Sequence, residues 1–157
     1  MSSEHRRGEP PAIRRMRPED LPKLDEILLQ SPETVRWIPD FAATSLSSSH
    51  GFVLVSESPR ELTGLLVARQ AADEAEILNL AVRPANRRTG TATALLTAAI
   101  ADLRTRNATR VFLEVRESNA PAIAFYQKHA FRQIGTRPGY YRQPDEAALN
   151  LQRILTA

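Results

Sequence analysis

Apolar and polar residues follow two different periods along this chain, and these periods predict its strands and helices. Between Arg110 and Arg116, apolar side chains fall on every second residue, which predicts a strand with one buried face. Between Ala92 and Leu103 they recur at intervals of three and four residues, which predicts a helix that buries one face. The same two patterns predict the strands and helices in the rest of the chain.

Together the patterns predict a mixed α/β fold. Strands are expected at residues 12–16, 52–57, 61–70, 75–82, 110–116, 131–135 and 147–154. Helices are expected at residues 18–30, after the loop that ends near residue 90, and after residue 119, with one or two short helices and a mobile loop in residues 31–49. Turns are expected at Ser58–Arg60, residues 71–74 and Pro138-Gly139. We therefore predict one mixed sheet of six or seven strands with helices on both faces.

The length and composition fit one globular domain in the cytoplasm. The chain has 157 residues, of which 42% are hydrophobic and 25% charged, which suits a single hydrophobic core. Residues 12–157 are predicted to form this domain, and the polar segment 1–11 is predicted to be a disordered tail. The absence of cysteine fits a reducing compartment and excludes disulfides and thiolate sites. No apolar run reaches the roughly 18 residues of a membrane span, so no membrane partner is expected.

The charge of the chain is mildly positive. Its 21 Lys and Arg residues exceed its 18 Asp and Glu residues by three, and nearly all of the basic residues are arginine. Arginine binds phosphate oxygens with two parallel hydrogen bonds, but it is also common on solvated faces, and the sequence leaves both interpretations open. The basic runs are only two or three residues long, which argues against a nucleic-acid partner. The histidines are scattered, so no metal site is expected.

A short loop before the long predicted helix has the composition of an anion site. The preceding strand ends at Val82, Pro84 and Asn86 turn the chain, and the segment Arg87–Ala92 opens the helix. Gly90 would let the backbone approach a ligand closely. The N–H groups of such a loop and of a helix N-terminus attract anions, especially phosphates. The alternative is an ordinary helix cap with surface arginines.

Four sequence blocks follow one another in an order and spacing that are typical of one enzyme family. The segment Arg87–Ala92 fits the signature Arg/Gln-x-x-Gly-x-Gly/Ala, and it follows the strand block Ala75–Val82. The blocks Phe112–Ala120 and Ala124–Phe131 come next. Together they resemble the GNAT N-acetyltransferases, and most of all the RimI type, which acetylates the N-terminus of a ribosomal protein. The resemblance extends over about residues 12–153.

The resemblance implies acetyl-CoA as the cofactor. In this family the strands that correspond to Glu76–Val82 and Arg110–Arg116 splay apart, and the pantetheine arm of acetyl-CoA lies in the gap. The loop after the first of these strands binds the pyrophosphate. Matched residue by residue, the implied cofactor-binding residues are Leu80, Ala81, Val82, Arg87, Arg88, Thr89, Gly90, Thr91, Ala92, Asn119 and Tyr126.

The resemblance also implies three catalytic side chains. Glu114 matches the general base of RimI-type enzymes, and Glu76 matches the base of histone-acetylating relatives. The sequence leaves open which of them accepts the proton of the attacking amine. Tyr126 matches the tyrosine that protonates or hydrogen-bonds the leaving thiolate, and a neutral phenol suits that task. The backbone N–H of Val82 is the implied donor to the thioester carbonyl.

The acceptor is the part of the function that the sequence determines least. Trp37 and Phe41 are candidate substrate contacts or core residues, and Tyr140 and Tyr141 resemble a tyrosine pair that lies beside the acceptor peptide. The chain departs from the family pattern at Pro138-Gly139, just before that pair, which puts peptide recognition in doubt. A second departure, at His129-Ala130, looks structural.

The sequence leaves three functions open. We expect transfer of the acetyl group to a protein N-terminal α-amine. The first alternative keeps the fold and chemistry but takes a small amine, such as a polyamine, an amino acid or an antibiotic. The second is a non-catalytic acyl-CoA-binding module. The protein is expected to be a monomer or a homodimer.

Overall fold

A seven-stranded sheet forms the centre of the computed structural model, which describes residues 11–31, 50–141 and 145–155. Its strands are β1 (Ala12–Arg15), β2 (Gly51–Glu57), β3 (Leu62–Ala71), β4 (Glu74–Val82), β5 (Arg110–Arg116), β6 (Arg132–Tyr141) and β7 (Glu146–Ile154). Their order across the sheet is β1-β2-β3-β4-β5-β7-β6. The pair β4–β5 is parallel and the other neighbours are antiparallel. The predicted mixed sheet is thus confirmed.

In the described segments, three helices cover the two faces of this sheet. They are α1 (Leu21–Leu29), α2 (Thr91–Thr105) and α3 (Ala120–Lys128). The apolar side of α1 packs on one face, in a cluster with side chains of β2 and β3. Buried side chains of α2 and α3 pack on the opposite face. No helix in the described segments is long and apolar enough to cross a membrane.

The helix boundaries follow local signals. The segment predicted as one helix from residue 18 to residue 30 is a 3-10 turn at Pro18–Asp20 followed by α1, with Pro22 in the first turn, where proline is tolerated. Helix α2 buries five residues of the predicted stripe, and the sixth, Ala92, is only partly buried. The five are Leu95, Leu96, Ala99, Ile100 and Leu103. Residues 31–49 lie, apart from Ser31, outside the described residues, and so does the tail at residues 1–10.

Strand β4 contains one extra residue relative to β3. Val67 pairs with Asn79 and the next residue, Ala68, pairs with Ile77, so Leu78 has no partner on β3. Such a bulge bends a strand and increases its twist. The bend occurs at the point where β4 leaves its other neighbour, β5.

One predicted turn is wrong. Pro138-Gly139 was expected to reverse the chain, but both residues lie inside β6, which continues to Tyr141. The pairing of β6 with β7 is interrupted between Arg137 and Tyr141, and Gly139 has a φ of 62°. Glycine and proline therefore mark an irregularity in an edge strand, where proline removes no hydrogen bond of a central ladder.

Candidate active site

A gap in the sheet lies between β4 and β5. The two strands pair from Glu74 with Arg110 to Ile77 with Leu113, and no pair follows. Beyond this point β4 remains paired with β3, and β5 remains paired with β7 as far as Arg116. The inner edges of both strands are therefore open to an extended ligand that carries amide groups, as the pantetheine arm does.

The far end of β4 directs backbone groups into this gap. The N–H of Arg83 donates to the carbonyl of Thr63 at 2.8 Å, so Gly64 and Val82 form the intervening non-hydrogen-bonded pair. The N–H and C=O of Val82 consequently point away from β3. The Nε of Arg87 donates to this carbonyl at 3.3 Å. The N–H of Val82 is thus oriented as a donor toward a ligand in the gap.

The loop before α2 has the backbone of an anion site. Gly90 occupies the N-cap position with a φ of 86°, and no side chain caps the helix there. Arg88 also has a positive φ, at 62°. A Cβ on Gly90 would meet nothing within 4 Å, so the space beside the loop is open. The first-turn N–H groups of α2 therefore face a place where a phosphate group can bind.

The side chains of this loop have different environments. Thr91 is buried and Ala92 packs against the core, while Arg88, Thr89 and Gly90 are exposed. Arg87 extends toward Val82 and also donates to the Oγ of Ser31 at 3.3 Å. Leu80, Ala81 and Val82 are the last three residues of β4, directly before the loop. The predicted cofactor residues of β4 and the loop thus form one continuous segment.

Tyr126 lies on α3, on the same face of the sheet as α2. Its ring packs edge-on against Phe125 and Phe131, with centroid distances of 5.2 and 5.4 Å. Burial raises the pKa of its hydroxyl, which keeps the phenol neutral. Among the described residues the hydroxyl has no hydrogen-bond partner. Asn119 caps α3, since its Oδ1 accepts from the N–H of Ala122 at 3.3 Å.

A cavity of about 820 Å³ opens on the opposite face of the sheet. Glu76 and Glu114 both line it. They alternate along their strands with residues that pack under α2 and α3, so they point to the other face. The other charged or titratable residues that line the cavity are His50, Arg69, Glu74 and Arg137.

Glu76 is held by an arginine from the neighbouring strand. The Nε and Nη2 of Arg69 donate to its Oε2 at 3.2 and 2.7 Å. Glu76 pairs in register with Phe112, inside the closed part of the β4–β5 pair. This carboxylate therefore lies before the gap opens.

Glu114 lies one residue beyond the last β4–β5 pair, at the point where the gap begins. Its side chain is 19% exposed, and its Oε1 is 3.3 Å from the Nε of Arg137, which is 59% exposed. Tyr140 lies beside it: burial and the charge of Glu114 raise the pKa of the tyrosine hydroxyl. Of the two candidate bases, Glu114 has the better position for an amine that attacks a thioester in the gap.

The tyrosine pair forms a wall beside Glu114. The rings of Tyr140 and Tyr141 meet edge to face at 5.0 Å. Burial, followed by the charge of Glu114, raises the pKa of Tyr141 to about 12. Both tyrosines were predicted as acceptor contacts, and the structure places them close to Glu114, although neither is among the described residues that line the cavity. The other predicted contacts, Trp37 and Phe41, lie outside the described residues.

Sequence reasoning named only Glu76 and Glu114 among the residues that line the cavity, and it missed the polar side chains beside them, among which are Arg69, Arg137 and Asn150. Arg69 could have been found, because a hairpin with Ala72 and Asp73 at its turn sets residue 69 opposite Glu76. Arg137 and Asn150 come from β6 and β7, far along the chain, and no local signal marks them. The Oδ1 of Asn150 is buried and has no hydrogen-bond partner among the described residues.

The open strand pair, the uncapped helix and the buried tyrosine have the arrangement of the fold that the sequence blocks indicated. The sequence pattern of the acetyltransferase (GNAT) family matches residues 12–131, so the chain belongs to this family. Members of this family are N-acetyltransferases that use acetyl-CoA.

One relative compared by sequence and two solved structures are similar to this chain over most of its length. A Bacillus subtilis (strain 168) protein provisionally named [ribosomal protein bS18]-alanine N-acetyltransferase is 34% identical over 139 residues, which are 88% of this chain and 91% of that protein. The crystal structure of the Escherichia coli ribosomal-protein-S18-alanine N-acetyltransferase has a TM-score of 0.83 at 27% identity and covers 94% of this chain and 96% of its own. The structure of Arabidopsis thaliana NAA60 in complex with acetyl-CoA shares the fold, with a TM-score of 0.81, 20% identity, and coverage of 92% of this chain and 98% of its own.

Proposed function

We propose that the protein transfers the acetyl group of acetyl-CoA to the α-amine at the N-terminus of a protein, with a ribosomal protein as the acceptor. The observation that carries this proposal is the position of Glu114. It lies where the gap between β4 and β5 opens, at the boundary between the cofactor side of the sheet and the cavity. Relatives that are named for alanine N-acetylation of a ribosomal protein support the choice of acceptor.

The reaction needs one proton acceptor and one oxyanion donor. The neutral amine attacks the thioester carbon, a C–N bond forms, and the C–S bond breaks. Glu114 accepts the proton of the amine, directly or through water. The N–H of Val82 stabilises the negative charge that develops on the carbonyl oxygen.

Tyr126 acts on the leaving thiolate as a hydrogen-bond donor. Burial raises the pKa of this phenol above its ordinary value near 10, whereas a thiol has a pKa of about 8.5. Complete transfer of the phenolic proton to sulfur would therefore be uphill. A hydrogen bond still stabilises the departing charge, and it leaves Tyr126 neutral for the next turnover.

The charge of the cavity supports a peptide acceptor over a polyamine. Two arginines stand against three glutamates among the described lining residues. Glu76 and Glu114 each have an arginine partner. A polycation gains little in a site where two of the three carboxylates are already paired, whereas one terminal amine needs only one proton acceptor.

The proposal is tested by thiol release from acetyl-CoA with a panel of acceptors. The central acceptor is a short peptide with the N-terminal sequence of ribosomal protein bS18 and a free amine. The first control is the same peptide with an acetylated N-terminus. The second control is a peptide whose N-terminus is blocked and whose one lysine side chain is free. Spermidine, free amino acids and an aminoglycoside complete the panel. Turnover that requires the free α-amine is the expected result, and turnover of the small amines alone contradicts it.

A further inference from the structure

Arg116, at the end of β5, lies between a carboxylate and an aromatic ring. Its Nη1 is 3.4 Å from the Oε1 of Glu146, and its Cζ is 4.2 Å from the centre of the Tyr141 ring. The side chains of Arg116 and Glu146 are 22% and 13% exposed. A guanidinium held in this way binds the ring face and is itself oriented by the carboxylate.

Glu146 also binds the backbone of the turn after β5. Its Oε2 accepts a hydrogen bond from the N–H of Ser118 at 2.8 Å. It pairs in register with Tyr141, across the β6–β7 ladder. Hydrogen bonds from Ser118 hold the pKa of Glu146 below its ordinary value, so the carboxylate is ionised at neutral pH.

The contacts continue from Tyr141 to Glu114. Tyr141 packs edge-on against Tyr140 at 5.0 Å, and the Cζ of Arg137 lies 5.4 Å from the centre of the Tyr140 ring. Arg137 in turn pairs with Glu114. One row of side chains therefore connects Glu146 to the proposed general base.

The backbone does not hold these tyrosines in place by itself. Strand β6 is at the edge of the sheet, and its pairing with β7 is interrupted between Arg137 and Tyr141. Residues 132–140 are mostly exposed. Because the ladder is broken from Pro138 to Tyr140 and resumes only at Tyr141, side-chain contacts contribute to the orientation of the rings.

We propose that Arg116 and Glu146 are positioning residues for the acceptor: they fix Tyr141, and through it Tyr140, as the wall of the acceptor site beside Glu114. Neither residue touches the reacting atoms. The inference rests on the proposed function, since it assigns the surface beside Glu114 to the acceptor amine.

The test compares three single variants in steady-state kinetics. Arg116→Met removes the cation, and Glu146→Gln removes the ion pair but keeps an oxygen for the N–H of Ser118. Arg110→Met, an exposed arginine at the start of the same strand, is the control. We expect the first two to raise KM for the acceptor by about tenfold, with the Kd for acetyl-CoA unchanged. The acceptor is the amine of the panel that the unmodified enzyme turns over best.

Two further variants separate positioning from loss of fold. The double variant Arg116→Met/Glu146→Gln is expected to be no worse than the poorer single variant, because both changes break the same contact. Arg116→Lys, which keeps a cation over the ring, is expected to recover most of the acceptor affinity. Equal losses of acceptor affinity, kcat and acetyl-CoA affinity would overturn the proposal in favour of a general structural role.

Hydrogen exchange tests the same inference without catalysis. The amides of Arg137 and of residues 139–141 are expected to exchange faster in Arg116→Met and Glu146→Gln than in the unmodified protein or in Arg110→Met. Unchanged exchange there rejects the positioning role even if peptides are good substrates. Faster exchange in a protein that acetylates no peptide keeps the positioning role and rejects the acceptor, so the two failures are distinct.

Discussion

The two faces of the sheet contribute different kinds of chemical group to the candidate site. On the proposed cofactor side, the candidate ligand groups are backbone N–H groups of β4 and of the loop before α2, together with Tyr126. On the proposed acceptor side, the candidates are charged and aromatic side chains that belong to β3, β4, β5 and β6 and are held in pairs. A backbone site depends on the conformation of a few consecutive residues. A side-chain site depends on the register of several strands, so the two halves should fail in different ways.

The largest effect is expected from Glu114→Gln, which removes the proposed proton acceptor from the acceptor side. Loss of a general base typically lowers kcat by about 10²–10⁴-fold. The Kd for acetyl-CoA should not change, because the cofactor half contains no part of this side chain. Steady-state kinetics and calorimetry measure the two quantities. The matched control is Glu76→Gln, and a larger loss of kcat in this control would assign the base to Glu76.

Tyr126→Phe should have the next largest effect, and it tests the chemistry of the cofactor side. Without the hydroxyl, the leaving thiolate loses a donor in a buried site, and we expect kcat to fall by about 10²-fold. The ring stays in the core, so acetyl-CoA should bind nearly as before. Single-turnover measurements with the best acceptor follow the chemical step. An unchanged rate would remove Tyr126 from the mechanism.

Substitution of two glycines, one in each half of the candidate site, tests the cofactor half and the acceptor half separately. Gly90 and Gly139 have φ values of 86° and 62°, and a Cβ on either would meet nothing within 4 Å. Valine at either position should therefore add similar backbone strain, about 1–2 kcal/mol or more. We expect Gly90→Val to weaken acetyl-CoA binding by about tenfold and Gly139→Val to raise only the KM of the acceptor. The same change in acetyl-CoA affinity for both variants would contradict the division into two halves.

The smallest expected effect is on stability at high pH. Burial raises the pKa of Tyr126 above that in the unfolded chain, so the folded protein holds the phenolic proton more tightly. This contribution is complete below about pH 10, and it is lost as the pH rises through the folded-state pKa. Thermal melts from pH 8 to pH 11 should therefore fall less steeply for Tyr126→Phe than for the unmodified protein. Parallel curves would mean that the hydroxyl is solvated.

The cofactor half could be predicted from the sequence because its signals are local. The strand Arg110–Arg116 and the start of α2 after Gly90 both match the structure. A glycine at a helix N-terminus and an alternating strand are recognisable within a few residues. The helix around Tyr126 also begins after residue 119, as expected; Ser118 and Asn119 were both possible caps, and Asn119 is the one that caps the helix.

The acceptor half could be predicted only in part. The tyrosine pair was expected beside the acceptor, but the arginines that hold Glu76 and Glu114 come from other strands. Pro138-Gly139 shows the limit clearly. A proline followed by a glycine with positive φ fits a turn and a strand irregularity equally well, and only the pairing of β6 with β7 decides between them.

The extra residue in β4 has a consequence for how such a site could arise. Ile77 and Leu80 both pack toward α2, three residues apart, whereas Leu78 and Ala81 both pack toward α1. A regular strand repeats its faces every two residues, so the insertion changes the phase of everything after it. Deletion of Leu78 would leave Ile77 and Asn79 on their present partners, restore regular alternation and remove the bulge that bends β4. A single codon therefore separates a regular strand from one that bends where its pairing with β5 stops.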